Sequence, residues 1–330
     1  MVIPTLAADE MLIECLESLE RQSSRDFEII VVDNSGRGAV RLSVASRPGL
    51  TILESGRNIG FGAAVNAACA RSRAPFLATL NDDAAAHPRW LEALVEAAAS
   101  RDDVGMCASR VLLAGVGRLD SAGMLLCADG SSKQRGHGEC ASRYDDPCET
   151  LLPSGAAALY RRAMLEETGG FDETFFLYSE DTDLGLRARW AGWKCLYVPE
   201  AQVEHRYSRS AGRASPLKAY HVERNRLFVV AKNFPAGMLA KSPWVALARY
   251  AWHAVAIVEG RGAGAEFLRQ GHGAWRLAWL VLRAHLAALA AAPRLWIERR
   301  KIRGSARLSA AEFRRLARSH SIRAREVARL

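Results

Sequence analysis

Apolar and polar positions along the first hundred residues fall into blocks with two different periods. Mainly apolar runs that are bounded by polar or glycine-containing turns are typical of buried parallel strands. Four such runs occur, at residues 2–5, 27–33, 50–53 and 76–80. Apolar residues at helical spacing occupy the segments 9–22, 62–72 and 87–100. Strands that alternate with helices predict an α/β fold with a mostly parallel sheet and helices on both faces.

The pattern changes twice further along the chain. Residues 114–150 are rich in Gly, Ser, Asp and Cys and predict loops or irregular hairpins. Two more helices are expected, at 162–168 and 181–192. Beyond Pro216 the pattern is almost entirely helical, with many Ala, Leu, Trp and Arg residues. We therefore expect two domains, an α/β domain over 1–232 and a helical extension over 233–330.

Charge is distributed unevenly along the chain. Residues 1–200 carry 20 Lys and Arg against 29 Asp and Glu, whereas residues 201–330 carry 25 against 7. The helical extension places tryptophans among its basic residues, and Trp, Leu and Arg on amphipathic helices suit an anionic membrane surface. The alternative is that these helices pack on the α/β domain with Trp in the core. The basic residues match no nucleic-acid-binding module, so nucleic acid is not an expected partner.

The sequence offers no pattern that would direct the chain out of the cytosol. The first residues are already typical of a strand, and no window reaches the roughly 18–20 apolar residues of a membrane-spanning helix. Seven cysteines without a C-x-x-C pair fit free thiols in a reducing compartment. Cys127, Cys140 and Cys148 lie near His137, but their spacing matches no common zinc motif. We expect a cytoplasmic protein that is peripheral on the inner face of the cell membrane.

Three of the predicted strands end in or lead into polar residues, namely Thr5, Asp33 and Asp83. Ligands of such sheets bind beyond the carboxyl ends of the strands, so these residues predict a binding cleft. Within Asn81-Asp82-Asp83, the adjacent carboxylates repel each other unless a cation or a donor lies between them. A magnesium ion that bridges a diphosphate would satisfy this need. The alternative is an acidic helix N-terminus that the helix dipole stabilises.

A glycine pair follows the third predicted strand. Gly60-Phe61-Gly62 partly matches G-x-G-x-x-G, but position 65 is Val and the motif does not follow the first strand. A dinucleotide-binding fold is therefore not expected. The glycines would still allow the backbone to approach a nucleotide or sugar closely.

Two adjacent carboxylates, Glu180 and Asp181, lie beside a run of aromatic residues. A partly apolar pocket raises the pKa of a carboxylate, and such a group can take a proton from an attacking hydroxyl. The alternative is that these acids cap the helix that begins near residue 181 and pair with Arg187 or Arg189.

Eight short motifs occur in a fixed order over residues 2–230. They are V-I-P-T at 2–5, E-I-I-V-V-D-N-S-G at 28–36, R-N-I-G-F-G-A-A-V-N at 57–66, L-N-D-D at 80–83, S-G-A-A at 154–157, G-G-F-D-E-x-F-F at 169–176, Y-S-E-D-T-D-L at 178–184 and H-x-x-S at 205–208. Each is weak alone. In this order and spacing they resemble the family 2 glycosyltransferases of the GT-A fold, and most closely the bacterial rhamnosyltransferase-type members.

The resemblance implies donor-binding roles in the first part of the chain. The residues that it assigns to the nucleotide sugar are Pro4, Thr5, Asp33, Asn58, Gly60, Asn66, Asn81 and Asp82. The first three would contact the base and ribose, and the next three would shape the nucleotide side of the cleft. Asn81-Asp82-Asp83 resembles the D-x-D element of the family, with Asp83 as the carboxylate that binds Mg²⁺ or Mn²⁺. The first position of this element is Asn here.

The resemblance also implies roles further along the chain. The sugar and acceptor side would include Gly155, Ala156 and Glu180. Asp181 resembles the catalytic base, and His205 resembles the histidine that faces the metal–diphosphate centre. His221 and Arg224-Asn225 resemble a further family element to which no role is assigned.

The expected activity is that of a metal-dependent, inverting glycosyltransferase. It would move a sugar from a nucleotide diphosphate, with dTDP-rhamnose as the expected donor, to a lipid-linked or saccharide acceptor in cell-surface polysaccharide synthesis. One base and no inferred nucleophilic carboxylate favour a single displacement that inverts the anomeric centre. Two alternatives remain: a non-catalytic nucleotide-binding or scaffold member of the same fold, and a sugar nucleotidyltransferase. The second predicts a Gly-rich basic loop after the first strand, and residues 6–10 lack one.

Overall fold

The computed structural model describes residues 1–44, 49–206 and 214–330. Contacts divide the chain into two compact units. In its described parts, the first unit comprises residues 1–44, 49–124, 134–176 and 192–206, and the second comprises 125–133, 177–191 and 214–330. This division differs from the expected boundary after residue 232, because residues 214–232 and two short segments from the middle of the sequence pack with the C-terminal helices.

The first unit is built on a mixed sheet. The described strands of the chain are β1 (Val2–Thr5), β2 (Ile29–Asp33), β3 (Leu50–Glu54), β4 (Phe76–Leu80), β5 (Ala84–Ala86), β6 (Val104–Leu113), β7 (Arg118–Ser121), β8 (Met124–Leu126), β9 (Ser132–Gln134), β10 (Cys148–Thr150), β11 (Ala157–Arg161) and β12 (Lys194–His205). The main sheet has the order β10-β12-β6-β11-β4-β1-β2-β3, with β5 paired to β12 and β7 to β6. Strands β8 and β9 form a separate pair.

One half of the sheet is parallel, and this half carries the predicted strand-end residues. The neighbours β3, β2, β1 and β4 all run in the same direction. Strand β11 then lies antiparallel between β4 and β6, whereas β12 runs parallel to β6. The α/β fold class is therefore confirmed, with antiparallel strands added beyond β4.

Helices α1 (Glu10–Glu20), α2 (Ala39–Val44), α3 (Phe61–Arg71), α4 (Trp90–Ala99) and α5 (Arg162–Thr168) belong to the same unit. Helix α1 begins at Asp9, whose carboxylate accepts hydrogen bonds from the first free backbone amides. The apolar positions of α1 at helical spacing, including Leu12, Leu16 and Leu19, are buried against the sheet. The indole of Trp90 is also buried, and its Nε1 donates to Ser109 at 2.8 Å. Burial of these side chains fixes the helices on the strands that carry the site.

The second unit is helical. Its helices are α6 (Glu180–Trp190), α7 (Pro216–Asn233), α8 (Ala236–Val258), α9 (Gly262–Arg269), α10 (Ala274–Ala290), α11 (Ala292–Gly304), α12 (Ala310–Ser319) and α13 (Ala324–Arg329). The ring of Trp190 stacks on Phe313 at 4.1 Å between centroids, and its Nε1 donates to the carbonyl of Asn233. These contacts hold α6, α7 and α12 together.

Asp183 is a fully buried carboxylate at the centre of this unit. Its oxygens accept hydrogen bonds from Arg187, Lys232 and Asn233 at 2.8–2.9 Å. Two cations and an amide thus satisfy one charge that is removed from water. Arg187, which the sequence offered as a partner for Glu180 or Asp181, donates its Nε to Asp183.

The length and apolar content of the helices bear on whether one of them could cross a membrane. Within the described ranges, no single helix is long and apolar enough to cross a membrane. Helices α10 and α11 meet the length and composition criteria only as a pair, and the chain bends by 63° between them.

Candidate active site

The rim at the carboxyl ends of the parallel strands begins with Thr5. Its Oγ1 donates to Asp82 at 2.5 Å, so the end of β1 and the segment after β4 are directly joined. Pro4 pairs with Val32 in the adjacent strand β2. The structure therefore brings Pro4, Thr5 and Asp82 together, as the order of the strands predicts.

Asp33 ends β2 but uses its carboxylate locally. One oxygen accepts from the amide of Ser35 at 2.8 Å, and the other accepts from the amide of Val40 at 3.2 Å. Burial opposes ionisation of Asp33, but the hydrogen bonds from Ser35 and Val40 and the charge of Arg37 hold its pKa below the usual value. The described contacts of Asp33 thus shape the turn after β2, and its role toward a nucleotide stays a prediction.

Gly60 marks a close approach between two loops of the first unit. Its φ of +86° and ψ of 170° belong to a region that is essentially restricted to glycine. A Cβ at this position would lie 2.3 Å from the carbonyl oxygen of Phe176. That carbonyl accepts from the amide of Phe61 at 2.9 Å, and the Oδ1 of Asn58 accepts from the amide of Gly60. Asn58 and Gly60 therefore fix the loop that ends at Phe176.

Asn66, on α3, forms hydrogen bonds with the loop that ends at Phe176. Its Oδ1 accepts a hydrogen bond from the backbone amide of Phe171 at 3.0 Å, and its Nδ2 donates to the carbonyl of the same residue at 2.8 Å. A further contact joins its Nδ2 to Glu173 at 3.1 Å. These contacts give Asn66 a structural task that the sequence did not predict, and its expected place beside a nucleotide stays a prediction.

Asp83 and His205 face each other across a strand pair. Strands β5 and β12 pair antiparallel with His205 opposite Ala84, and the Nε2 of His205 lies 3.1 Å from the Oδ1 of Asp83. The Nδ2 of Asn81 lies 3.3 Å from the same ring nitrogen. Asp83 and His205 are both buried. The structure thus brings Asn81, Asp83 and His205 together, whereas Ser208 of the H-x-x-S motif lies outside the described residues.

The other ring nitrogen of His205 contacts a residue that the sequence did not single out. The Nδ1 of His205 lies 2.8 Å from the Oδ2 of Asp120, and the Oδ1 of Asp120 lies 3.1 Å from the Nδ1 of His137. Burial opposes the imidazolium, but the carboxylates of Asp120 and Asp83 outweigh it and raise the pKa of His205 to about 9. Asp120 was missed because β7 reaches this position only through its pairing with β6, and its surrounding sequence predicts loops.

The carboxylates of this rim fit a divalent cation that substrate oxygens help to bind. Apart from the approach of the His205 ring to 3.1 Å, the buried Oδ1 of Asp83 has no partner among the described residues. Burial and the neighbouring charge of Asp83 raise the pKa of Asp82 to about 6, although the hydrogen bond from Thr5 opposes this shift. No group of three or more His, Cys, Asp and Glu side chains with metal-binding geometry occurs in the described ranges. Mg²⁺ and similar ions commonly take one or two carboxylates and complete their shell with water and phosphate.

Gly155 and Ala156 lie next to this rim. The carbonyl of Gly155 accepts from the hydroxyl of Thr79 at 2.9 Å, and the carbonyl of Ala156 accepts from the amide of Asn81 at 2.8 Å. Both residues therefore border the Asn81–Asp83 segment, where the resemblance expects the sugar.

The Glu180-Asp181 pair belongs to the second unit. Glu180 is buried, and its Oε2 has no hydrogen-bond partner among the described residues. Burial and the adjacent charge of Asp181 raise the pKa of Glu180 to about 8, so it is protonated at neutral pH. The Oδ1 of Asp181 accepts from the amide of Thr182 at 2.6 Å.

The backbone before this pair is held in an unusual conformation. Tyr178 and Ser179 have φ values of +69° and +64°, which residues other than glycine rarely adopt. The amide of Asn225 on α7 donates to the carbonyls of Leu177 and Tyr178 at 2.8 and 2.7 Å. Asn225 thus holds the strained segment that leads to Asp181, a role that the sequence motif did not reveal.

Comparison with known structures identifies the class of the fold. A crystal structure of GalNAc-T7 with UDP, GalNAc and Mn²⁺ matches with a TM-score of 0.60 and 14% identity, over 75% of this chain and 50% of that chain. The mannosyltransferase PcManGT from Pyrobaculum calidifontis, solved with GDP-Man and Mn²⁺, matches with a TM-score of 0.51 and 18% identity, over 88% and 86%. The fold is that of the GT-A glycosyltransferases.

Sequence comparison then gives the family. Residues 1–228 match the family described as "Glycosyltransferase like family 2". An N-acetylglucosaminyl-diphospho-decaprenol L-rhamnosyltransferase of Mycobacterium tuberculosis is 31% identical over 232 residues, which are 62% of this chain and 76% of that protein. The chain belongs to glycosyltransferase family 2, and the resemblance inferred from its motifs is confirmed.

Proposed function

We propose that this protein is a metal-dependent, inverting glycosyltransferase that transfers a sugar from a nucleotide diphosphate to a lipid-linked saccharide. The donor is dTDP-rhamnose and the acceptor is an N-acetylglucosaminyl-diphospho-polyprenol, by analogy with the mycobacterial relative. The observation that carries the proposal is the buried pair on the strand-end rim in which the Oδ1 of Asp83 faces the Nε2 of His205 at 3.1 Å.

In the first unit, Asp83 and the neutral form of His205 would hold Mg²⁺ or Mn²⁺, because a histidine must lose its ring proton to bind a metal. The ion, when bound, would neutralise the charge that develops on the leaving diphosphate. Asp120 orients the ring of His205 through the 2.8 Å contact at Nδ1. Thr5 fixes Asp82, so the carboxylate next to Asp83 keeps one position.

In the second unit, Asp181 serves as the base. It takes the proton of the acceptor hydroxyl while that oxygen attacks the anomeric carbon, and one displacement inverts this centre. Glu180 is protonated at neutral pH, so it adds no second negative charge beside Asp181. Thr182 orients Asp181 by donating its amide hydrogen to Oδ1.

Release of the nucleoside diphosphate tests this function directly. Wild type, Asp83→Ala, Asp181→Asn and the surface control Asp102→Asn are incubated with UDP-, dTDP- and GDP-sugars, Mn²⁺ or Mg²⁺, and a membrane lipid extract. We expect one donor to be consumed by wild type and control, with EDTA abolishing turnover. Asp181→Asn should lower kcat by about 10²–10⁴-fold, the usual contribution of a general base.

Three results would count against parts of the proposal. Full turnover in EDTA would remove the metal, and full turnover by Asp181→Asn would remove the base. A product whose anomeric configuration by NMR equals that of the donor would remove inversion. No turnover of any donor by folded wild type would favour a non-catalytic member of the fold.

We also propose that the protein lies on the inner face of the cell membrane through α10 and α11. An apolar stripe on α10, here called the tryptophan stripe, recurs at intervals of four and three residues and consists of Trp275, Trp279, Leu282, Leu286 and Leu289. Each of these side chains is at least half exposed. Soluble monomers rarely expose a continuous apolar surface of this kind.

Charge around the tryptophan stripe favours anionic lipid as its partner. Arg276, Arg283, Arg300 and Lys301 are exposed on the same two helices. Basic residues beside an exposed apolar face are typical of interfacial helices. The free thiols of all seven cysteines, which lie in described parts of the chain, suit the reducing side of the membrane.

Vesicle co-sedimentation tests this surface. Wild type should bind vesicles that contain phosphatidylglycerol and should bind purely zwitterionic vesicles more weakly. The double variant Trp275→Ser/Trp279→Ser should lose most binding, whereas Trp244→Ser, an equally exposed tryptophan on α8, should retain it. Unchanged binding by the double variant would refute the assignment, as would concentration-dependent dimerisation through the stripe without lipid.

A further inference from the structure

A short chain of hydroxyl groups reaches the proposed base from another part of the second unit. The Oδ1 of Asp181 accepts hydrogen bonds from the backbone amide of Thr182 at 2.6 Å and from the hydroxyl of Thr182 at 3.2 Å. The same hydroxyl lies 2.7 Å from the hydroxyl of Ser132. Thr182 is fully buried, and Ser132 is half-buried. Within the described residues, the hydrogen of the Thr182 hydroxyl can therefore go only to Asp181 or to Ser132.

The chemistry of these three groups fixes the direction of the chain. A hydroxyl has one hydrogen to donate, whereas an ionised carboxylate can only accept. If Thr182 donated to Ser132, a lone pair of its oxygen would face the Oδ1 of Asp181 across 3.2 Å, and the two oxygens would repel each other. Thr182 must therefore donate to Asp181, and Ser132 must donate to Thr182.

Ser132 begins β9, and buried charges anchor the segment before it. The carboxylate of Asp129 lies 2.5 Å from the Nε of Arg249 on α8. The carbonyl of Asp129 accepts from Arg226 on α7 at 2.8 Å. Glu223 pairs with both guanidinium groups. Two cations and two carboxylates thus balance each other and hold the segment that carries Ser132 against α7 and α8.

The contact between Ser132 and Thr182 joins two segments that are 50 residues apart in sequence. It fastens β9 to the first turn of α6, which is the turn that contains Asp181. Ser179, which precedes this turn, forms no side-chain hydrogen bond that caps it in the described structure. The orientation of the Asp181 carboxylate thus depends on the Thr182 hydroxyl, whose own orientation depends on Ser132.

We propose that Ser132 and Thr182 are positioning residues for the base of the transfer reaction. This inference rests on the proposed function, in which Asp181 takes the proton of the acceptor hydroxyl. Ser132 donates to Thr182 and Thr182 donates to Oδ1, so the carboxylate keeps one rotamer while the acceptor approaches. Catalysis needs this order, because a reacting group that is misplaced by about 1 Å can lower the rate about 100-fold.

The test follows kcat and KM separately in variants of the two hydroxyls. They are Thr182→Val, Thr182→Ser, Ser132→Ala, Ser132→Thr and the double variant Ser132→Ala/Thr182→Val. Release of the nucleoside diphosphate is measured with the nucleotide sugar that wild type consumes and with N-acetylglucosamine on citronellyl diphosphate as acceptor. Ser319→Ala is the matched control, because the exposed Ser319 also donates one hydrogen bond from its hydroxyl. Urea unfolding shows that each variant is folded.

We expect Thr182→Val to lower kcat about 10- to 100-fold, with the KM for donor and acceptor unchanged within about twofold. Ser132→Ala should lower kcat about 2- to 10-fold, because the Thr182 hydroxyl loses the donor that orients it. The double variant should match Thr182→Val within about twofold, because Ser132 acts only through Thr182. Thr182→Ser and Ser132→Thr keep the hydroxyls and should recover most of kcat, and Ser319→Ala should equal wild type.

Other outcomes overturn the inference. An unchanged kcat in folded Thr182→Val would show that the hydroxyl does not orient the base. If Thr182→Ser were as slow as Thr182→Val, packing of the methyl group would explain the loss instead. A double-variant loss equal to the product of the two single losses would show that Ser132 acts independently of Thr182. Losses confined to KM would assign both hydroxyls to substrate binding.

The same assays separate this inference from the proposed function. If folded wild type releases no nucleotide from any donor, the proposed function fails and the positioning role fails with it. If wild type is active and Asp181→Asn is slow while the variants of Ser132 and Thr182 turn over normally, only the positioning role is removed.

Discussion

Replacement of Gly60 by Ala tests how tightly the two loops of the first unit must approach. The added methyl group would lie 2.3 Å from the carbonyl oxygen of Phe176, well inside van der Waals contact. The Phe176 carbonyl must then move, and its hydrogen bond from the amide of Phe61 is lost or weakened. Gly56 offers a matched control, since its φ is also positive at +68° but nothing lies within 4 Å of a Cβ there.

The cost follows from two separate contributions. An alanine in the backbone conformation of Gly60 costs about 1–3 kcal/mol of folding free energy. Loss of the Phe61–Phe176 hydrogen bond adds about 1 kcal/mol. Gly56→Ala should cost only the left-handed backbone penalty, about 1–2 kcal/mol. From the midpoints of these ranges, we expect Gly60→Ala to be the more destabilising variant by about 1.5 kcal/mol.

Urea unfolding of both variants measures this difference, and donor turnover measures its consequence. Phe176 precedes Asp181 by five residues, so a displaced Phe176 should also lower kcat/KM, by about 10²-fold if the shift reaches 1 Å. Gly56→Ala should keep its kcat/KM. If the two variants unfold within about 0.5 kcal/mol of each other, the close contact at Gly60 has no energetic weight and the reasoning is refuted.

Two other variants probe the buried acids of the second unit. Because the folded state keeps Glu180 protonated up to about pH 8, this group favours folding below its normal pKa of 4.5, and that contribution is lost as the pH rises toward 8. Glu180→Gln should flatten the fall in urea stability over this window, and an unchanged slope would contradict the raised pKa. Asp183→Ala should cost about 3–5 kcal/mol, because Lys232 and Arg187 lose their shared carboxylate. A loss of unfolding free energy below about 1 kcal/mol would show that these cations find other partners.

Runs of apolar residues predicted the parallel strands of the first unit. The strands that end at Thr5 and Asp33 were predicted from apolar runs, and both occur with nearly the expected bounds. Strand β6 was missed because Gly105, Ser109 and Arg110 interrupt its apolar positions. Strand β12 was missed because Pro199 lies at an irregularity in its pairing with β6.

In the candidate site, too, the sequence predicted residues within motifs but not residues brought in by strand pairing. The facing positions of Asp83 and His205 could be expected from the family resemblance, since both lie in its motifs. Asp120 could not, because it reaches His205 only through pairing between strands that are far apart in sequence.

The antiparallel pairing of β5 with β12 has a consequence for how this family can vary. His205 lies opposite Ala84 in that register, so one added residue between Asp83 and Ala86 would shift the pairing of β5 by one residue and move Asp83 away from the imidazole. A chain with such an insertion would keep every motif in order and still separate Asp83 from His205. Alignments of related enzymes should therefore tolerate gaps before Asn81 and after the strand that ends at His205, but not within the three residues of β5.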